Sequence, residues 1–290
     1  MGKFAGVVVI NKEKGYTSHD VVAILKRLYK EKTGHSGTLD PNATGVLPVC
    51  IGRATKFAGF FMSEKKSYVA EVVLGVTTTT GDLTGEVLRD GPCPGFLACD
   101  IENVLGSFRG KYMQTPPMYS AIKVGGRKLY EIARSGGTVE REPREVEVFD
   151  LRLLEHRKNS FTISVDCSKG TYIRALCTDI GEKLGCGAAM GDLTRTRSGG
   201  FRIEDSVTIE EVKNSGNVRS LATPIEQLLP YPIAVLKPVA YAGAKNGNPV
   251  KLANLSLVDT GSPKHWLQAD GKTVGLFSLI NDSLVCEVML

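Results

Sequence analysis

Phe161-Thr162-Ile163-Ser164-Val165-Asp166-Cys167-Ser168-Lys169-Gly170-Thr171-Tyr172-Ile173-Arg174 is the stretch on which the reading of the fold turns. Phe161, Ile163, Val165 and Cys167 alternate as the inner face of a strand, which Ser168-Lys169-Gly170 ends. Tyr172, Leu176, Ile180 and Leu184 then share one helix face, with Gly185 placed to cap its C-terminus. This step puts Lys169 at the mouth of the helix and Arg174 in its first turns. Toward the N-terminus, Lys65 to Gly75 alternates as a second strand, and Val7 to Ile10 reads as a buried one. Thr17 and Ser18 offer hydroxyl caps for a helix carrying Val21, Val22, Leu25, Leu28 and Tyr29, and Asp20 near its start and Lys26, Arg27 and Lys30 near its end complement the helix dipole. From Gly34 to Gly52 the periodicity lapses into Gly, Thr, Asp and Pro, which predicts a long ordered loop.

Strands and helices interleave without the regular beat or glycine fingerprint of a doubly wound nucleotide-binding fold. The expected class is therefore α+β, a mixed, mainly antiparallel central sheet with flanking helices. Pro224, Pro230 and Pro232 punctuate the chain near its end, and the remaining C-terminal stretch is Gly-rich and short-stranded. The expected division is residues 1–230 as one large domain and 231–290 as a small β-rich one.

In 290 residues, 36 Lys plus Arg against 31 Asp plus Glu leave a net charge of +5, with 42% hydrophobic residues, an ordinary globular balance that excludes disorder and fibrous repeats. The modest basic excess permits an anionic partner without establishing one. The seven cysteines, Cys50, Cys93, Cys99, Cys167, Cys177, Cys186 and Cys286, form no Cys-x-x-Cys pair and have no nearby paired His, so neither a zinc site nor a disulfide framework is expected. Reduced thiols fit a cytoplasmic protein. The longest N-terminal apolar run, Val7 to Ile10, is too short for a signal segment or a membrane span.

Gly34-His35-Ser36-Gly37-Thr38-Leu39-Asp40-Pro41-Asn42-Ala43-Thr44-Gly45 gathers an imidazole, a carboxylate and glycines in one loop. An Asp before Pro is an ordinary turn residue. The functional reading beside that commoner one is a carboxylate held at a fixed point, since Pro41 restricts Asp40 toward extended geometry. The spacing of Asp40 and Thr44 also fits a magnesium-dependent phosphotransferase loop, but position 42 is Asn, and the missing second carboxylate weakens a magnesium site. Arg174 reads as a capped-helix cation or as a guanidinium pairing bidentately with a loop carboxylate. Lys111 to Lys123, followed by Arg127, Lys128, Tyr130 and Arg134, interleaves aromatic and basic side chains, a composition that suits RNA as well as a solvated helix face.

Three separated motifs carry a resemblance: Gly34-His35-x-Gly37-Thr38-Leu39-Asp40-Pro41-x-Ala43-Thr44-Gly45-Val46-Leu47-Pro48, Gln114-x-Pro116-Pro117-x-Tyr119-Ser120-Ala121-x-Lys123, and Cys167-Ser168-Lys169-Gly170-Thr171-Tyr172-Ile173-Arg174. Lys65-x-x-Tyr68 and Leu193-x-Arg195-Thr196-x-x-Gly199-x-Phe201 accompany them. In this order and spacing, from about Val8 to Phe201, the chain resembles the TruB-type tRNA pseudouridine synthases. The resemblance implies a mixed α+β catalytic domain with a small C-terminal RNA-binding domain of the PUA type. The implied reaction is isomerisation of the T-loop uridine of tRNA, position 55, to pseudouridine, with the base flipped out and with no cofactor or metal.

By the same resemblance Asp40 is the nucleophile, Arg174 its ion-pair partner and Tyr68 the ring that stacks on the uracil. His35 contacts RNA near the flipped base, and Tyr172 and Leu193 line the pocket. Lys12 and Lys169 join the substrate-binding set, although Asn11-Lys12-Glu13-Lys14-Gly15 stands where the family usually has Asp-Lys-Pro-x-Gly. The T-arm of tRNA is the expected partner, with no membrane, no protein partner and a monomeric state. A non-catalytic RNA-binding or RNA-folding protein on the same scaffold is the alternative, and retention of Asp40, Tyr68 and Arg174 speaks against it.

Overall fold

The computed structural model describes residues 4–62 and 65–290. Its central sheet is built from β1 (Ala5–Lys12), β2 (Thr44–Gly52), β3 (Lys66–Leu74), β4 (Gly110–Gln114), β5 (Arg144–His156), β6 (Ser160–Cys167) and β7 (Ala188–Ser198). Three helices belong to the same layerwork: α1 (Ser18–Tyr29), α2 (Ala98–Gly106) and α3 (Ile173–Lys183). Across the sheet the order is β1-β2-β7-β3-β6-β5-β4, with the short Thr223–Pro224 outside β1. Neighbours run antiparallel except at one point, where Thr44 and Gly45 of β2 lie parallel with Thr194 and Arg195 of β7. The sheet is thus two antiparallel halves joined at a short parallel seam.

The seam needs glycine. Gly45 has φ +98°, and a Cβ there would sit 2.2 Å from the carbonyl oxygen of Arg195. No other residue lets β2 pass so close to β7.

Local chemistry accounts for the helices. Thr17 and Asp20 cap α1 reciprocally, the Thr17 hydroxyl accepting from the Asp20 N–H at 3.0 Å and the Asp20 carboxylate from the Thr17 N–H at 2.9 Å. Tyr172 has no side-chain cap for α3, and buried Gln114 on β4 supplies one by accepting the Tyr172 N–H at 2.8 Å and donating to its carbonyl at 3.1 Å.

Most of the core lies between the sheet and the helices: Val8, Ile10, Val21, Leu25, Leu47, Val49, Ile101, Leu105, Phe161, Ile163, Leu176 and Ile180 are fully or almost fully buried. The opposite face of β1 and β2 presents Val7, Val46 and Cys50 to a second core. Both faces of β2 are therefore covered, and this corrects the expectation of a loop from Gly34 to Gly52. Thr33–His35 is a short strand beside β2, residues 36–43 form the loop, and Thr44–Gly52 is a strand. A strand buried on both faces reads as a continuous apolar run with no alternation to reveal it. Pro48 is accommodated within that strand, its carbonyl accepting the Ser36 N–H at 3.0 Å.

The C-terminal sheet comprises β8 (Ile233–Leu236), β9 (Val250–Lys251), β10 (Leu255–Leu257), β11 (Lys264–Ala269), β12 (Lys272–Ile280) and β13 (Ser283–Met289), in the order β9-β13-β12-β11-β8-β10. It closes around Leu236, Val250, Leu267, Phe277 and Leu284, a barrel-like PUA-type unit. Trp266 and Leu276 leave that core for the second one, where Trp266 packs on Phe57 with ring centroids 5.5 Å apart and donates its Nε1–H to the Leu229 carbonyl at 2.7 Å. Among the described residues no helix is long and apolar enough to cross a membrane, and the seven cysteines are free thiols.

Candidate active site

The loop between Thr33–His35 and β2 is held by its backbone. Arg195 donates to the carbonyls of Gly37 (Nη2, 3.2 Å) and Thr38 (Nη1, 3.3 Å). The buried Ser18 hydroxyl accepts the Leu39 N–H at 2.8 Å and returns a bond to the Leu39 carbonyl at 3.0 Å. Lys12 Nζ and Gly15 N both donate to the Pro41 carbonyl, at 3.0 and 2.9 Å. Polar groups from β1, α1 and β7 thus fix residues 37, 38, 39 and 41 on either side of Asp40, whose side chain is left part-exposed. Thr44 ties the loop exit to the seam, its hydroxyl 2.8 Å from that of Thr194.

Arg174 Nε lies 2.9 Å from Asp40 Oδ2 and 3.8 Å from Asp82 Oδ2. Its terminal nitrogens go elsewhere, Nη1 to the Thr80 carbonyl and Nη2 to the Tyr119 carbonyl, both at 2.9 Å. The pairing is therefore not the bidentate fork that the sequence suggested. The two outer nitrogens are taken by loops 94 and 55 residues away, so one guanidinium is spread over four partners. Asp82 is itself fixed, its Oδ1 accepting from the hydroxyls of Thr80 (2.8 Å) and Thr84 (2.6 Å) and from the Thr84 N–H (3.0 Å).

Tyr68 on β3 is buried and stands directly opposite Arg195 on β7. Burial pushes its hydroxyl pKa up, while the adjacent Arg195 works in the other direction. Leu193, also on β7, is buried two residues before Arg195. Tyr172 is half-buried at the start of α3 with its peptide gripped by Gln114. His35 is half-buried, and its pKa is lowered by burial and then by the Arg195 and His19 charges, so the ring is neutral at pH 7 with Nδ1 accepting the Gly37 N–H at 3.3 Å.

Lys12 is placed differently from a substrate contact. It is fully buried, and its three donors go to the carbonyls of Glu13, Tyr16 and Pro41 at 3.0, 2.7 and 3.0 Å. Desolvation brings its pKa from 10.5 down to about 8 despite the nearby Asp40. Lys169 stands exposed in the turn before α3 and makes no ion pair among the described residues. Beside the pocket, Lys123–Val124 and Arg127–Lys128 form a hairpin leading into a short helix, Leu129–Arg134, where Lys128 and Arg134 flank the Tyr130 ring at 5.3 and 5.4 Å.

Sequence reasoning passed over Asp82, Ser18 and the task of Arg195. Asp82 lies at the end of a threonine tract that a strand tolerates. Its signal was the Asp82-Leu83-Thr84 turn, in which a carboxylate accepts the N–H two residues on.

Chemically, this is a carboxylate with an arginine partner, 41% exposed at its side chain, mounted on an immobilised loop beside a buried tyrosine and an apolar wall. The description "TruB family pseudouridylate synthase (N terminal domain)" fits residues 26–173, and "tRNA pseudouridylate synthase B C-terminal domain" fits residues 174–240. The tRNA pseudouridine synthase B of Geobacillus kaustophilus is 49% identical over 235 residues, 77% of this chain and 82% of the relative. That of Alkaliphilus oremlandii is 45% identical over 257 residues, 88% and 85% of the two chains. Among solved structures, a Cbf5-Nop10-Gar1 complex superposes with a TM-score of 0.70 at 28% identity, covering 98% of this chain and 84% of that one. The archaeal box H/ACA sRNP Nop10-Cbf5 complex gives 0.69 at 26%, with 98% and 85% covered. Relatives near half identity across three quarters of the sequence, on a fold and site of this kind, leave one assignment: the chain belongs to the TruB family of pseudouridylate synthases.

Proposed function

We propose that this protein isomerises the uridine at position 55, in the T loop of tRNA, to pseudouridine, and that Asp40 is the nucleophile. The observation that carries this is the Asp40–Arg174 pair, a part-exposed carboxylate on a loop clamped through its carbonyls and a buried guanidinium 2.9 Å from it. The reaction breaks the N1–C1′ bond, turns the base, and forms C5–C1′, with a proton lost from C5 and one gained at N1. It is redox-neutral with no net hydrolysis, so it calls for neither cofactor nor metal. A carboxylate needs no base to activate it as a nucleophile near neutral pH. Preformed geometry contributes by placing that oxygen before substrate arrives.

In this reading Tyr68 stacks on the extruded uracil, Leu193 and Tyr172 wall the pocket, and neutral His35 occupies the space the base leaves. Extrusion costs a few kcal/mol, and stacking worth roughly 1–3 kcal/mol per base offsets part of it. Lys12 acts from beneath, by holding Pro41. Lys169 and the Lys123–Arg134 hairpin meet phosphates. Residues 1–230 carry the chemistry and 231–290 contribute RNA contacts, in a monomer that works in the cytoplasm without a protein partner.

The test is incubation of purified protein with an unmodified tRNA transcript and mapping of pseudouridine. Modification at position 55 is expected on tRNA and on an isolated T-arm stem-loop, with an unstructured strand of the same sequence much poorer because it must order on binding. Tight binding with no pseudouridine would overturn the catalytic reading in favour of an RNA-binding role.

A further inference from the structure

Arg195 is 1% exposed, among the largest fully buried side chains of the protein. The two carboxylates of the site, Asp40 and Asp82, both pair with Arg174, so among the described residues Arg195 keeps its charge among neutral groups: the carbonyls of Val46 at 2.7 Å, Gly37 at 3.2 Å and Thr38 at 3.3 Å, with the Tyr68 hydroxyl beside it. A buried charge without a counter-ion is a costly way to fill space, and apolar side chains of similar volume commonly serve as well or better where only packing is needed.

Two further features converge on the same residue. The register of β7 against β3 shifts between Met190 and Leu193 and again between Arg195 and Arg197, so irregularities bracket the segment that carries Leu193 and Arg195. Such bulges re-aim side chains beside active sites. Within the segment, Arg195 faces Tyr68 across the strands and Gly45 across the parallel seam.

We infer that Arg195 is a positioning residue that sets the aim of Asp40 and Tyr68 together, through the Gly37–Thr38 carbonyls on one side and the tyrosine hydroxyl on the other. The inference rests on the reading of Asp40 and Tyr68 as the residues that meet the uracil. A planar guanidinium reaches Val46, Gly37 and Thr38 at once with directions fixed by its own geometry, whereas an ammonium on a shorter, flexible stem does not. Since the hydroxyl and the loop share one anchor, a substitution that loosens it misplaces nucleophile and ring together, and a displacement of about 1 Å costs on the order of 100-fold in rate.

The test compares Arg195→Lys with wild type by single-turnover pseudouridine formation at saturating enzyme, tRNA affinity by filter binding, and thermal melting. All rates are taken well below the melting transition, where a merely structural role leaves the rate per folded molecule unchanged. The expected result is a rate lowered by about 30- to 100-fold with tRNA affinity within about 3-fold of wild type. A wild-type rate, or a loss confined to affinity, would overturn the inference. Should Arg195→Lys not fold, Arg195→Gln is measured in the same way, and if neither folds Arg195 is a folding determinant and the inference falls. Asp40→Asn in the same assay separates the two levels: if it retains activity the nucleophile reading fails, and if it is dead while Arg195→Lys is normal only the positioning role fails.

Discussion

Arg174 Nε sits 2.9 Å from Asp40 Oδ2, yet the arginine side chain is 6% exposed and the aspartate 41%. The cation belongs to the interior and the anion to the cleft. Exposure of one partner keeps the Coulomb term small in stability, while the buried partner fixes where the carboxylate stands. The pair is therefore better suited to aiming than to holding the fold together.

Asp40→Asn should abolish turnover, by about four orders of magnitude or more, and leave tRNA affinity within about 3-fold, because the amide preserves shape but is a far poorer nucleophile. Single-turnover assays alongside filter binding measure the two quantities separately.

Arg174→Lys should damage both chemistry and fold. An ammonium cannot reach Asp40 and the carbonyls of Thr80 and Tyr119 together, and a buried carbonyl left unpaired costs about 1–3 kcal/mol. Urea unfolding should show that loss, together with a severe fall in rate per folded molecule.

Lys12 predicts opposite trends for activity and stability in alkali. Its folded pKa, about 8, lies below the ordinary 10.5, so between these values the unfolded chain binds the extra proton and the folded one does not. Stability therefore gains with rising pH across that window from this group. Deprotonation also removes one of three donors from the Glu13, Tyr16 and Pro41 carbonyls, so the grip on the Asp40 loop slackens and turnover should fall through an ionisation near pH 8. Lys12→Met should show neither trend, with lower turnover throughout. Measuring denaturant stability and single-turnover rate across pH 7 to about 10.5 for both proteins checks the sign of each.

Trp266→Ala should cost about 3–5 kcal/mol, since it empties the core shared with Phe57 and Phe61 and leaves the Leu229 carbonyl without its donor. Leu257→Ala, at a side chain 60% exposed, should change stability by less than about 0.5 kcal/mol. By the same reasoning, ending the chain near Tyr231 uncovers Phe57, Phe61, Ile225 and Leu229, so a truncated protein should be less stable and prone to aggregate, and loss of tRNA binding is better sought with surface substitutions.

Gly45→Ala should be among the most damaging single-methyl changes. A left-handed alanine alone costs roughly 1–2 kcal/mol, and here its Cβ would also meet the Arg195 carbonyl oxygen at 2.2 Å. Soluble yield, melting temperature and turnover should all drop.

How much was legible in the sequence depends on how each element is buried. β3 and β6 alternate visibly, and α1 declares itself by the Thr17–Asp20 cap. β2 concealed itself because both its faces are covered, leaving an apolar run without alternation, broken by Pro48 and bounded by glycines. Arg174 could be placed in the first turn of α3, but its carbonyl partners come from Thr80 and Tyr119, and no local pattern announces contacts at such separations. Lys12 and Arg195 belonged to recognisable motifs, and only burial showed that they grip backbone. The motifs located the site and tertiary contact assigned the duties within it.

The clamps on the Asp40 loop also impose a schedule on biosynthesis. Lys12 and Ser18 leave the ribosome before the loop does, but Arg195 emerges 158 residues after Gly37. A nascent chain that has already made β1, α1 and the loop still lacks the anchor for residues 37 and 38, and it lacks β7, to which β2 is seamed. Domains fold as units once enough chain has emerged. Asp40 therefore cannot be aimed until about two thirds of the chain has been made, and a half-made chain that meets tRNA has no fixed carboxylate to offer it.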